Sequence, residues 1–99
     1  MGDVVQIEKT DDFNDWLSGL RDSRARAIIM SRIDRISLGL FGVCKSVGQG
    51  VSEVKIDYGP GYRLYFVKRG SVIIVLLCGG DKSTQSRDIK KAIKMAQEI

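Results

Sequence analysis

Two strand-like stretches carry side chains able to handle a phosphodiester. Polar and apolar residues alternate in Glu53-Val54-Lys55-Ile56-Asp57 and again in Arg63-Leu64-Tyr65-Phe66. A period of two sends successive side chains to opposite faces of a strand. Tyr58-Gly59-Pro60-Gly61 lies between the stretches, and its Gly59-Pro60-Gly61 fits a type II turn, with proline second and glycine third. That turn implies a register in which Lys55, Arg63 and Tyr65 share one face of neighbouring strands, opposite Val54, Ile56, Leu64 and Phe66. Lys82 follows the last apolar strand and falls close to the same face. These residue types suit a polyanionic partner, either RNA, DNA or an acidic protein. The planar fork of Arg63 matches phosphate oxygens, and the ammonium groups of Lys55 and Lys82 can hold charge that develops on phosphorus. Lys55 could instead act as a base, and Tyr65 could stack on a nucleobase or pack in a core. A plainer alternative stands beside each assignment: Lys and Arg on a sheet edge are ordinary solubilising groups.

The chain has no histidine and two cysteines. A conventional zinc site and a cysteine–histidine nucleophile are therefore not expected, and neither is a metal or other cofactor. RNA cleavage by its own 2′-hydroxyl requires deprotonation of that hydroxyl, stabilisation of a pentacoordinate phosphate and neutralisation of the leaving 5′-oxygen. Without histidine, these tasks fall to groups with displaced pKa values or to fixed charge. Gly48-Gln49-Gly50 lacks the spacing of a dinucleotide-binding loop or a P-loop. The net charge of +4 favours a polyanionic partner, although a soluble surface alone accounts for a charge of that size. Lys45, Lys68, Lys90 and Lys91, with Lys94 and the arginines at 21, 24, 26, 32 and 35, are candidates to track RNA phosphates. A solvated helix face explains any one of them equally well.

The elements that would position these groups follow from periodicity. Ninety-nine residues suffice for one hydrophobic core, so one domain is expected over 1–99. Val4 to Ile7 read as an opening strand, and Thr10 or Asp11 as the N-cap of a helix carrying Phe13, Trp16, Leu17 and Leu20. After Gly19 and Asp22, a second helix carries Ala25, Ile28, Ile29, Ile33 and Ile36, and the two should form a hairpin. Gly39, Gly42, Gly48 and Gly50 predict a long loop over 39–51, with Cys44 inside it. Val72 to Cys78 is apolar on both faces, as in a strand covered from both sides. Ser83 to Ile99 reads as a helix with Ile89, Ala92, Ile93 and Ala96 on its apolar face. The fold class is α+β: an N-terminal strand and helical hairpin packed on an antiparallel sheet, then a C-terminal helix. The first residues carry neither a signal peptide nor a myristoylation pattern, and no apolar run is long enough to span a bilayer, so a cytoplasmic location is expected.

Four segments, in this order, resemble the RelE/ParE superfamily, and within it the Gp49/HigB-like addiction module killer proteins. They are Phe13-x-x-Trp16-Leu17-x-x-Leu20, Lys45 to Glu53, Gly59-Pro60-Gly61-Tyr62-Arg63-Leu64-Tyr65-Phe66 and Gly79-Gly80-Asp81-Lys82-Ser83-Thr84-Gln85. The resemblance implies the toxin of a type II toxin–antitoxin system: an mRNA interferase that cuts message in the ribosomal A site, or, in the ParE branch, a poison of DNA gyrase. A degenerate relative that only binds its antitoxin is a third possibility. Implied partners are a cognate antitoxin, often a helix-turn-helix protein, together with the ribosome and mRNA, and no membrane. Arg63 matches the family's phosphate-binding arginine, Lys55 a strand lysine and Lys82 a basic position after the last core strand. The pattern departs in three places: Glu53 replaces a second strand lysine, a C-terminal tyrosine position falls near Asp88, and the HigB-type histidine is missing. Gln85 and Asp88 either line the edge of the site or occupy the first turn of the last helix, and the second role is preferred.

Overall fold

The computed structural model describes residues 5–99. The elements run β1 (Gln6–Lys9), α1 (Asp11–Gly19), α2 (Ser23–Ser37), β2 (Cys44–Gly48), β3 (Val51–Ile56), β4 (Tyr62–Arg69) and β5 (Ile73–Gly80). A single 3-10 turn, Lys82–Thr84, then leads into α3 (Gln85–Glu98). The helix starts are set locally. The Thr10 hydroxyl accepts from the Phe13 N–H at 3.0 Å, and an Asp22 oxygen accepts from Arg24 and Ala25 at 2.9 and 3.2 Å. Thr10 also donates to the Leu77 carbonyl at 2.6 Å, which ties the entry of α1 to β5.

The five strands form one sheet in the order β1-β5-β4-β3-β2, antiparallel throughout except for β1, which runs parallel to β5. The helical hairpin covers one face, where Phe13, Ala25, Ile29 and Ile33 meet Val54, Leu64, Phe66 and Leu76. The second face is covered by α3, whose Ala92, with Ile89 and Ile93 around it, packs against Val51, Tyr65, Val67 and Leu77. β5 serves both cores, as its two-sided apolar pattern requires. A bulge lets it do so: Tyr65 pairs with Cys78 but Phe66 with Leu76, leaving Leu77 as the extra residue. None of the helices among the described residues is long and apolar enough to cross a membrane.

Three expectations need correction. The predicted loop over 39–51 contains β2, which pairs with β3 and carries Cys44, so that cysteine lies on an edge strand. Its side chains are exposed apart from a half-buried Val47, so no buried face marks it in the sequence. The turn before β4 is closed by the Gly61 N–H on the Tyr58 carbonyl at 3.1 Å. Gly59 and Pro60 therefore hold its central positions, one residue earlier than the type II assignment, with Gly59 at φ 57°. The last helix begins at Gln85, after the 3-10 turn, rather than at Ser83. The opening strand starts at Gln6, and Val4, the first residue expected in it, lies outside the described residues.

Candidate functional site

The register of β3 and β4 decides which groups meet. Lys55 stands opposite Arg63, and Glu53 opposite Tyr65. Arg63 in turn faces Gly80 on β5. All four side chains point to the α3 face of the sheet, but α3 starts too late in the chain to cover the Lys55–Arg63 end. There a cleft of about 190 Å³ opens, lined by Val43, Lys45, Glu53, Lys55 and Arg63.

Two charged groups in this cleft are almost wholly buried: Glu53 is 3% exposed and Arg63 6%. Buried charges must be paired, because desolvating an ion is costly. Glu53 Oε1 lies 3.7 Å from Arg63 Nε and 3.8 Å from Lys45 Nζ, and Oε2 accepts a hydrogen bond from Gln85 Nε2 at 2.9 Å. Arg63 Nη1 donates to the Gly61 carbonyl at 2.8 Å. Its Nε is buried and donates to no group among the described residues. It is shielded from solvent and faces the Glu53 carboxylate, so it is the rest of the guanidinium that contributes to the wall of the cleft. Counting Lys45, Lys55 and Arg63 against Glu53, the lining carries two net positive charges. The arrangement can therefore hold an anion, while Glu53 supplies an acceptor for a proton.

Of the two roles open to Tyr65, the structure shows packing, and its place among the site residues is corrected. Its ring is fully buried beneath α3, so it offers no face for stacking on a base. Burial first, then the negative charge of Glu53, pushes its phenol far above the ordinary tyrosine value. Its Oη lies near enough to that carboxylate to feel it, yet makes no hydrogen bond in this geometry. A phenol so placed keeps its proton at neutral pH and cannot act as a base. Tyr65 is part of the floor of the site.

Lys45 and Lys55 share the cleft with Arg63, whereas Lys82 does not line it. Lys82 is exposed just beyond β5, where its backbone N–H reaches the Pro60 carbonyl at 3.4 Å, so it sits on the adjoining rim beside Gly61. Lys68 is elsewhere: its ammonium lies 5.1 Å from the Phe41 ring centroid, on the hairpin side of the sheet. Lys90 and Lys91 project from α3, and Lys91 pairs with Asp12 at 3.7 Å. These three cations do not join the cleft.

Two polar residues matter more than their spacing suggested. Gln85 bridges from the first turn of α3 to Glu53, a contact across 32 residues that no local pattern announces. Asp88 is buried and accepts from the Thr84 hydroxyl at 2.5 Å. Its carboxylate occupies the space that a side chain at position 80 would need, which is why glycine ends β5. Neither cysteine is poised for reaction: burial pushes the Cys78 thiol up to about 12 and also raises that of Cys44. Among the described residues no group of three or more His, Cys, Asp or Glu side chains could hold a metal ion.

No family model matches the chain. An uncharacterized protein of Haemophilus influenzae is 50% identical over 96 residues, spanning 97% of each chain. Among solved structures, a double arginine-to-alanine mutant of E. coli toxin RelE in the free state superimposes with a TM-score of 0.69. The match covers 92% of this chain and 96% of that one at 12% identity, so it shows a shared RelE-like fold.

Proposed function

We infer that this chain, which belongs to the family of the Haemophilus influenzae protein and has the RelE fold, is the toxin of a type II toxin–antitoxin pair. Its proposed activity is that of an mRNA interferase, an endoribonuclease cutting message on the ribosome and stopping translation in the cytoplasm. One observation supports the reading: the Arg63 side chain lines a cleft together with Lys45 and Lys55. The HigB-like subtype rests on the Gly59-to-Phe66 and Gly79-to-Gln85 motifs.

The chemistry needs no metal. A message phosphate enters the cleft and is held by the charge of Arg63, Lys55 and Lys45. The neighbouring 2′-oxygen attacks phosphorus, passing its proton to Glu53. The bond to the 5′-oxygen breaks, leaving a cyclic phosphate, and the departing oxygen takes a proton from solvent or from a cation on the rim, where Lys82 stands. Fixed positive charge is worth most where charge develops and solvent is scarce. The antitoxin, proposed to be a DNA-binding helix-turn-helix protein, neutralises this basic cleft with acidic side chains.

A translating extract tests the proposal. Wild type should leave codon-positioned cuts that Arg63→Ala does not make, and intact message with normal protein output would end this reading. The burial of Tyr65, which withdraws a candidate for acid–base work or base stacking, favours one other reading: a non-catalytic inhibitor of gyrase. Loss of supercoiling activity at excess toxin, with message intact, would select it.

A further inference from the structure

Glu53 has an unusual set of neighbours for a carboxylate buried to 3% exposure. Its two cations stand at 3.7 and 3.8 Å, beyond hydrogen-bonding distance. The hydrogen bond to its oxygens, among the described residues, comes from the neutral amide of Gln85 at 2.9 Å, while the protonated Tyr65 phenol faces the same carboxylate from β4. The orientation of that amide is forced, since turning its carbonyl toward Glu53 would set two acceptors face to face. Gln85 is itself fixed. It opens α3, and one turn on, the Asp88 carboxylate lies against Gly80 and the Asp88 carbonyl accepts from the Cys78 thiol at 3.8 Å, which ties that end of the helix to β5. The amide is thus delivered to Oε2 by a rigid element, which leaves Oε1 turned toward Lys45 and Arg63.

We propose that Gln85 is a positioning residue: it clamps the Glu53 carboxylate so that one oxygen faces the cationic cleft and can receive a proton from the bound ligand. The role deepens the nuclease reading above and rests on it for its purpose, while the clamp is a property of the folded protein. A donor fixed on one carboxylate oxygen sets the direction of the other. Gln85→Met keeps length and volume but removes the donor. Gln85→Glu keeps the length and sets an acceptor against the first carboxylate in place of the donor.

The experiment compares the 13C carboxyl resonance of Glu53 at one neutral pH in wild type, Gln85→Met and Gln85→Glu, with Glu53→Gln giving the assignment. The resonance is expected to move in both variants, since each loses the amide donor at Oε2. Where the wild type cuts message, Gln85→Met should lower kcat about 10-fold with KM little changed. A Glu53 resonance unmoved in both folded variants, or a loss confined to KM, would overturn the clamp. If Gln85→Glu fails to fold, Gln85→Met alone decides. The resonance is read without RNA, so failure of the clamp and failure of wild type to cut message are separate results.

Discussion

At Arg63 and at Val67 the same strand, β4, turns odd-numbered side chains to the same face of the sheet, yet the two ends meet different surroundings. From Tyr65 to Val67 that face lies under α3 and packs with Val51, Leu77 and Ala92. At Arg63 the cover ends, and the neighbours become Lys45, Glu53 and Lys55 around a cleft. Alternation sets the direction of a side chain. Whether it becomes core or site depends on where the covering helix begins, and α3 is held at its starting point by Gln85 and Asp88.

Substitutions at the two ends should therefore differ in kind. The largest effect is expected at the closed end: Leu77→Ala removes a fully buried side chain and should lower unfolding free energy by about 2–5 kcal/mol in denaturant melts. At the open end, Arg63→Ala should reduce message cleavage about 100- to 1000-fold. Since it also strands the buried Glu53, Arg63→Lys, which keeps the charge but not the fork, is the companion variant. Equal loss of activity and of stability in both Arg63 variants would erase the distinction between the ends.

A smaller effect distinguishes the floor from the cleft by pH. The Tyr65 phenol is raised above its ordinary value near 10 in the folded state. Folding therefore retains a proton that the unfolded chain loses. The resulting stability is fully present below that ordinary value and declines as pH rises through the folded one. Thermal melts should fall in alkali above roughly pH 10, and Tyr65→Phe should flatten part of that fall. Least of all should Lys91→Ala matter: its pair with Asp12 is solvent-exposed, and a change within about 0.5 kcal/mol is expected in melts.

How much of this was legible in the sequence depends on range. The alternation of β3 and β4 is local and put Lys55 and Arg63 on one face, although the turn between the strands falls one residue earlier than its composition suggested. The cap at Thr10 was one of two readable there, whereas Asp22 read only as part of a connection and proved to be the cap of α2. β2 was not: its glycines and exposed side chains carry no period, and it is a strand because β3 offers it hydrogen bonds. The burial of Tyr65 was hidden for a related reason, since a residue on a polar-looking face becomes floor once α3, more than 20 residues later, lies over it. Glu53 read as a lost lysine until the fold set it between Gln85, Lys45 and Arg63.

The most direct test of the open end follows the Arg63 Nε–H resonance while a short RNA with a 2′-deoxy substitution at its cleavable linkage is added. The account predicts that this signal moves on binding, along with those of Lys45 and Lys55, while Lys68 and Lys91 stay still. An unchanged Arg63 signal, with shifts confined to the arginines of α2 or the lysines of α3, would contradict it.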